Sequence, residues 1–181
     1  MSWFERPTRR AAWLVPLALA VAGCGFHPLY APSGPRDWDP DLAAISVTRI
    51  PDRAGKILEL ALRENLNPGG IVVTPRWSLA TTLTVTRVDL GIQRNATATT
   101  SEVTINATFT LAKAGTGALV YSSASRAVGD FDLISDAYAT QVAADGARDR
   151  AIREVADEMT LRLALFVRAQ RAGTRAVRSP P

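Results

Sequence analysis

Between Val103 and Leu111 the residues alternate without a break: Val103, Ile105, Ala107, Phe109 and Leu111 share one parity, Thr104, Asn106, Thr108 and Thr110 the other. A period of two belongs to a strand with one face in a core and one in water, and it rules out a helix here. The flanking segments repeat the pattern. From Trp77 to Asn95, Leu79, Leu83 and Val85 share one parity and Val88, Leu90 and Ile92 the other, so a bulge or bend is expected near Arg87. After the small polar connection "ATATTS" and the central strand, "AGTG" supplies a turn and "ALVYSSASRAV" a returning strand. Three consecutive strands of this kind predict an antiparallel meander.

Before the meander, "AISVTRI" alternates Ile45 and Val47 with Ser46 and Thr48, a further half-buried strand. Asp52 is placed to N-cap a helix in which Ile57, Leu58, Ala61, Leu62 and Leu66 share a face until "NPGG" stops it. After the meander, Ile152, Val155, Ala156, Met159, Leu163 and Phe166 recur at intervals of three and four. This last helix can begin as early as Ser135, with Gly146 the residue that could interrupt it. The predicted fold class is α+β: a four-stranded mixed sheet in the order β-α-β-β-β-α, with two helices packed on one face.

The N-terminus reads differently. "RPTRR" at 6–10 precedes "AAWLVPLALAVA", an uncharged apolar run from Ala11 to Ala22 broken only by Pro16. Such a run rises only about 18 Å as a helix, well short of a hydrocarbon core of about 30 Å. It is the n-region and h-region of a signal peptide, residues 1–23. Val21, Ala22 and Gly23 then lead into Cys24, the only cysteine in the chain, and this junction resembles the bacterial lipobox. That resemblance implies a thioether-linked diacylglycerol and an N-acyl chain, palmitate among them, on Cys24 after cleavage. Gly25 in place of aspartate next to the cysteine implies sorting to the outer membrane, lipid-anchored on the periplasmic side. With its thiol consumed, the mature chain has no disulfide and must rest on its core.

Residues 24–41 form the lipidated N-terminus and tether, since "APSGPRDWDPD" is dense in proline, glycine and aspartate. Residues 42–170 form the domain, and 171–181 a disordered basic tail. Hydrophobic residues make up 47% of the chain and charged ones 21%, a globular composition. Of the net charge of +4, the leader's Arg6, Arg9 and Arg10 against Glu5 supply half, so the remainder is about +2, too mild for nucleic-acid binding.

"CGFHPLYAP", the strand-helix-meander-helix body and the closing "ARDRAIREVADEMTLRLALF" resemble the LPS-assembly lipoprotein family, LptE. The motif after the cysteine is carried by Gly25, Phe26, Pro28, Leu29 and Tyr30, which the resemblance makes the segment nearest membrane and partner. It implies an outer-membrane lipoprotein that complexes with the LptD β-barrel, supports its assembly and serves lipopolysaccharide delivery to the cell surface. The alternative of another class is a free-standing lipid-binding accessory lipoprotein of a lipid-trafficking ABC transporter, its sheet face forming the pocket.

Catalytic chemistry is not indicated. His27 is the single histidine and sits at the variable position of the motif beside the anchor, and no CxxC, HExxH or Walker-type loop occurs. Neither an enzymatic role, a metal nor a further cofactor is expected. If lipopolysaccharide phosphates are touched directly, Arg87, Arg94 and Lys113 are the candidates, near strand ends and turns, with an ordinary solvated charge the competing reading for each.

Overall fold

The computed structural model describes residues 39–92 and 98–178, with side chains for 39–90 and 100–172. The signal peptide, Cys24, the Gly25 to Tyr30 motif and Arg94 lie outside the described residues. The elements run α1 (Pro40–Ala43), β1 (Ile45–Val47), α2 (Asp52–Leu66), β2 (Trp77–Ile92), β3 (Ala98–Lys113), β4 (Leu119–Asp132) and α3 (Ala137–Arg178).

The sheet order is β1-β2-β3-β4. Strand β1 pairs parallel to β2 through a crossover that includes α2, and β2, β3 and β4 form the expected antiparallel meander. Parity then decides the layers. Leu79, Val103, Ile105, Phe109, Leu111 and Phe131 point to one face and are buried, joined there by Leu58 and Leu62 of α2 and by Ile152, Val155, Met159 and Leu163 of α3. The other face carries Thr82, Thr84, Thr86, Asn106, Thr108 and Arg126, all exposed. Phe109 sits fully buried at the middle of this core and meets Tyr121, which stacks on Phe166 of α3 at 4.9 Å between ring centroids.

Helix α3 is pinned to β4 by a polar group as well as by apolar contact. Ser125 donates to Glu158 at 2.5 Å, and Arg162 bridges Glu158 to Ser123. The Ser125 hydroxyl, then the Arg162 guanidinium, hold the Glu158 carboxyl below its ordinary pKa.

Five expectations need correction. The β2 to β3 register is continuous from Trp77 opposite Lys113 to Leu90 opposite Thr100, so Arg87 marks no bulge; the register shift lies instead between Leu111 and Ala112, facing β4. The apolar residues of β2 do change parity, so Val88 and Leu90 point to the uncovered face, where they are 47% and 41% exposed. Residues 98–101, read as connection, already pair as the start of β3, because threonine is as suited to a strand as to a turn. Asp52 does not cap α2: Pro51 holds the cap position without a side-chain bond, and Asp52 is the first helical residue at φ 67°. Finally, both ends of the predicted domain extend further. Asp39 caps α1 inside the expected tether, and α3 passes unbroken through Gly146 and continues to Arg178 where a disordered tail was expected from residue 171. One glycine costs a helix about 1 kcal/mol, which burial of a whole apolar stripe outweighs.

Candidate functional site

The two ends of the domain meet at the base of the sheet. "WDPD" contains a helix start: the Asp39 carboxylate accepts from the Asp41 N–H at 2.9 Å, and Pro40 occupies the first helical position, where a missing N–H costs nothing. That turn aims two carboxylates at α3. Arg171 donates to Asp39 through Nη2 at 2.5 Å and Nη1 at 3.1 Å, and through Nε to Asp41. Asp41 also accepts from Arg76 Nη1 at 2.7 Å, while the Arg76 guanidinium lies 4.7 Å over the Trp77 ring. One planar guanidinium thus holds two carboxylates from a segment about 130 residues away, a geometry that lysine could not reproduce.

Beside this clamp opens a cleft of about 760 Å³, walled by Trp77, Val120, Phe166 and Val167, with Lys113 at its rim. Lys113 is the last residue of β3 and lies opposite Trp77. Arg87 is at the other end of the sheet, opposite Val103. Ten β3 residues separate the two levels, about 33 Å at the rise of a strand, so Arg87 and Lys113 do not converge on one ligand group. Arg87 is instead engaged locally: Nε to Asp89 at 3.2 Å, Nη2 to the Ser101 hydroxyl at 3.3 Å, and the guanidinium 4.8 Å over Phe131. Ser101 donates in turn to Asp89, and that bond, followed by the Arg87 pairing, lowers the Asp89 pKa. Among the described residues no group of His, Cys, Asp or Glu could hold a metal ion, and no helix is long and apolar enough to cross a membrane.

Sequence reasoning missed Asp39, Asp41, Arg76 and Arg171. The N-cap and proline signal in "WDPD" was available to it; the meeting with Arg171 was not, since only the tertiary fold brings these positions together. Replacing Arg171 by alanine is expected to lower unfolding stability by about 1 kcal/mol, because the pairs are partly solvated, and to speed exchange of the Asp41 amide, read by denaturant titration and hydrogen exchange.

The family pattern LptE, described as Lipopolysaccharide-assembly, matches residues 42–164, from the middle of α1 through the first two thirds of α3. The chain belongs to the LptE lipopolysaccharide-assembly family. Solved structures repeat the LptE body found here. A chain from Caulobacter crescentus CB15 described as a lipoprotein aligns with TM-score 0.57 at 23% identity, covering 70% of this chain and 92% of that one. The minor lipoprotein from Acinetobacter baumannii aligns with TM-score 0.56 at 14% identity, covering 68% and 92%. At these identities they establish a shared fold. No curated protein matches the chain. Asp39, Asp41 and Arg171 lie just outside the span that the LptE pattern covers.

Proposed function

We propose that this LptE-family chain is a non-enzymatic outer-membrane lipoprotein, anchored through Cys24 on the periplasmic side, that complexes with the LptD β-barrel and supports its assembly and lipopolysaccharide delivery. The family match over residues 42–164 is the observation that carries the reading. The uncovered sheet face supports it: Thr82, Thr84, Thr86, Asn106 and Thr108 are exposed and polar, matching the polar interior of a large barrel rather than its lipid-facing wall. The core side of the same sheet is filled by α2 and α3, which argues against a lipid pocket on that face.

Isolating the native protein from membranes in mild detergent is the test. A large outer-membrane β-barrel should co-purify in near-equal amount. Recovery of the chain alone, carrying extractable lipid, would favour the lipid-binding accessory instead.

A further inference from the structure

The two ends of the described domain differ in charge. At the tip of the meander Glu102 lies opposite Asp130, and Asp132 and Asp136 follow close behind. At the base, where Trp77 faces Lys113, the balance reverses. After Glu158 the sequence contains no acid, whereas Arg162, Arg168, Arg171, Arg175 and Arg178 all fall on α3. Spacings of three, four and three set positions 168, 171, 175 and 178 along one stripe, about 80° of the helix circumference. The bond of Arg171 to Asp39 and Asp41 turns that stripe toward α1. Within the clamp, Asp39 and Asp41 offset Arg171 and Arg76. Lys113, exposed, and Arg168, half-exposed, form no side-chain hydrogen bond or ion pair among the described residues. This end therefore carries surplus positive charge.

Two aliphatic side chains stand in water on the same end. Val72 is 100% exposed, on a connection braced by Asn67, whose side chain accepts from the Ile71 N–H at 3.1 Å and donates to the Ile71 carbonyl at 2.9 Å. Leu119 opens β4 opposite Ala112, the neighbour of Lys113, and is 64% exposed. The two segments adjoin, since the Ala114 N–H donates to the Arg76 carbonyl at 2.8 Å. Exposed aliphatics among unpaired cations suit a bilayer interface, where the cations meet phosphate and the aliphatics leave water. The chain also leads there. Asp39 lies at this end and Cys24 only fifteen residues before it, a span of at most about 50 Å when fully extended.

We propose that the base of the domain docks end-on against an anionic phospholipid surface, with Lys113 and the Arg168 stripe on the headgroup phosphates and Val72 and Leu119 in the interface. The same surface repels the acidic tip, so the meander points away from the bilayer. The uncovered sheet face takes no part and stays free for a barrel. Docking of this kind is released by salt, so it supplements acyl chains and does not replace them. The choice of a bilayer as partner rests on the anchored-lipoprotein reading above. Lipopolysaccharide also offers phosphate, and the test separates the two sources.

The test uses the mature chain, residues 24–181, with Cys24→Ala so that no acyl chain contributes. At low salt it should sediment with vesicles of equal parts phosphatidylglycerol and phosphatidylcholine, and it should stay free of pure phosphatidylcholine vesicles. Each cation at such a surface contributes about 1 kcal/mol, or about fivefold in partition. Arg168→Ala with Arg175→Ala should therefore lower partition about twenty-five-fold. Arg150→Ala with Arg153→Ala, the same charge change at exposed positions in the middle of α3, should leave it nearly unchanged. An environment-sensitive dye on Val72→Cys should shift to the blue on the anionic vesicles, whereas the same dye on Thr84→Cys, in the uncovered sheet face, should not. Circular dichroism of each variant checks that the fold is retained. The proposal is overturned by no binding at low salt, by equal losses for the two arginine pairs, by equal dye responses at 72 and 84, or by binding to lipopolysaccharide aggregates without binding to phospholipid vesicles. An unacylated Cys24 in the natural protein would remove the anchor and leave these results standing, so the two readings fail separately.

Discussion

Replacing Cys24 by alanine is expected to move essentially all of the protein from the membrane to the soluble fraction. Each buried methylene of an acyl chain contributes about 0.8 kcal/mol, and a single chain gives only reversible binding. Two or three chains hold a protein beyond any practical wash, so their loss should lower membrane retention by at least about a thousandfold. The apolar leader from Ala11 to Ala22 is too short to substitute as a span. Circular dichroism and the thermal midpoint should be unchanged, because the core of the described residues is built from Leu42 to Val167. Fractionation with a high-salt wash, alongside mass spectrometry of the mature N-terminus, reads the outcome. A Cys24→Ala protein still firmly held by membranes, or an unacylated natural N-terminus, would remove the anchor.

The second large effect is inside the domain. A Cβ placed on Gly129 of β4 would lie 2.6 Å from the Ala147 carbonyl oxygen and 3.1 Å from its carbon, both backbone atoms of α3. Helix and sheet touch there with no side chain between them, so Gly129→Val must push α3 off the strand. A loss of about 3 kcal/mol is expected, at the upper end for overpacking because the obstacle is backbone rather than a side chain that can turn aside. That is a large share of the roughly 5–15 kcal/mol that a domain possesses. Gly146, on the same helix, should respond with the opposite sign. Its Cβ would meet only the mobile end of Arg150 at 3.4 Å, so Gly146→Ala should gain up to about 1 kcal/mol. Denaturant titration of the pair separates close packing from helix propensity: similar losses for both would show that Gly129 is not a contact point.

Much of this architecture was legible in the chain. Val103 to Leu111 announces β3, and the threefold and fourfold spacing from Ile152 to Phe166 announces α3, because burial of one face enforces a period. Three misreadings have a common physical origin: a local pattern was interpreted without its neighbours. The parity change in β2 looked like a bulge, yet it reflects apolar residues on both faces of a regular strand. Gly146 stood as a possible interruption and residues 171–181 as a disordered tail, yet the helix runs unbroken through Gly146 and on to Arg178. Helix α1 is four residues long and too short for any period to show; only its capping chemistry could have revealed it. The proposed anchor at Cys24 rests on sequence alone, since lipobox chemistry depends on order along the chain. The clamp of Arg171 on Asp39 and Asp41 could not be, since it depends on proximity in space.

Because α3 is one uninterrupted rod of 42 residues, about 63 Å long, it acts as a spar from the Gly129 crossing to the Arg171 clamp. A hinge between two shorter helices would soak up a push delivered at the tip of the meander. A stiff spar instead hands that push to the opposite end, where Arg171 grips Asp39 and Asp41, so strain at one extremity is felt at the other.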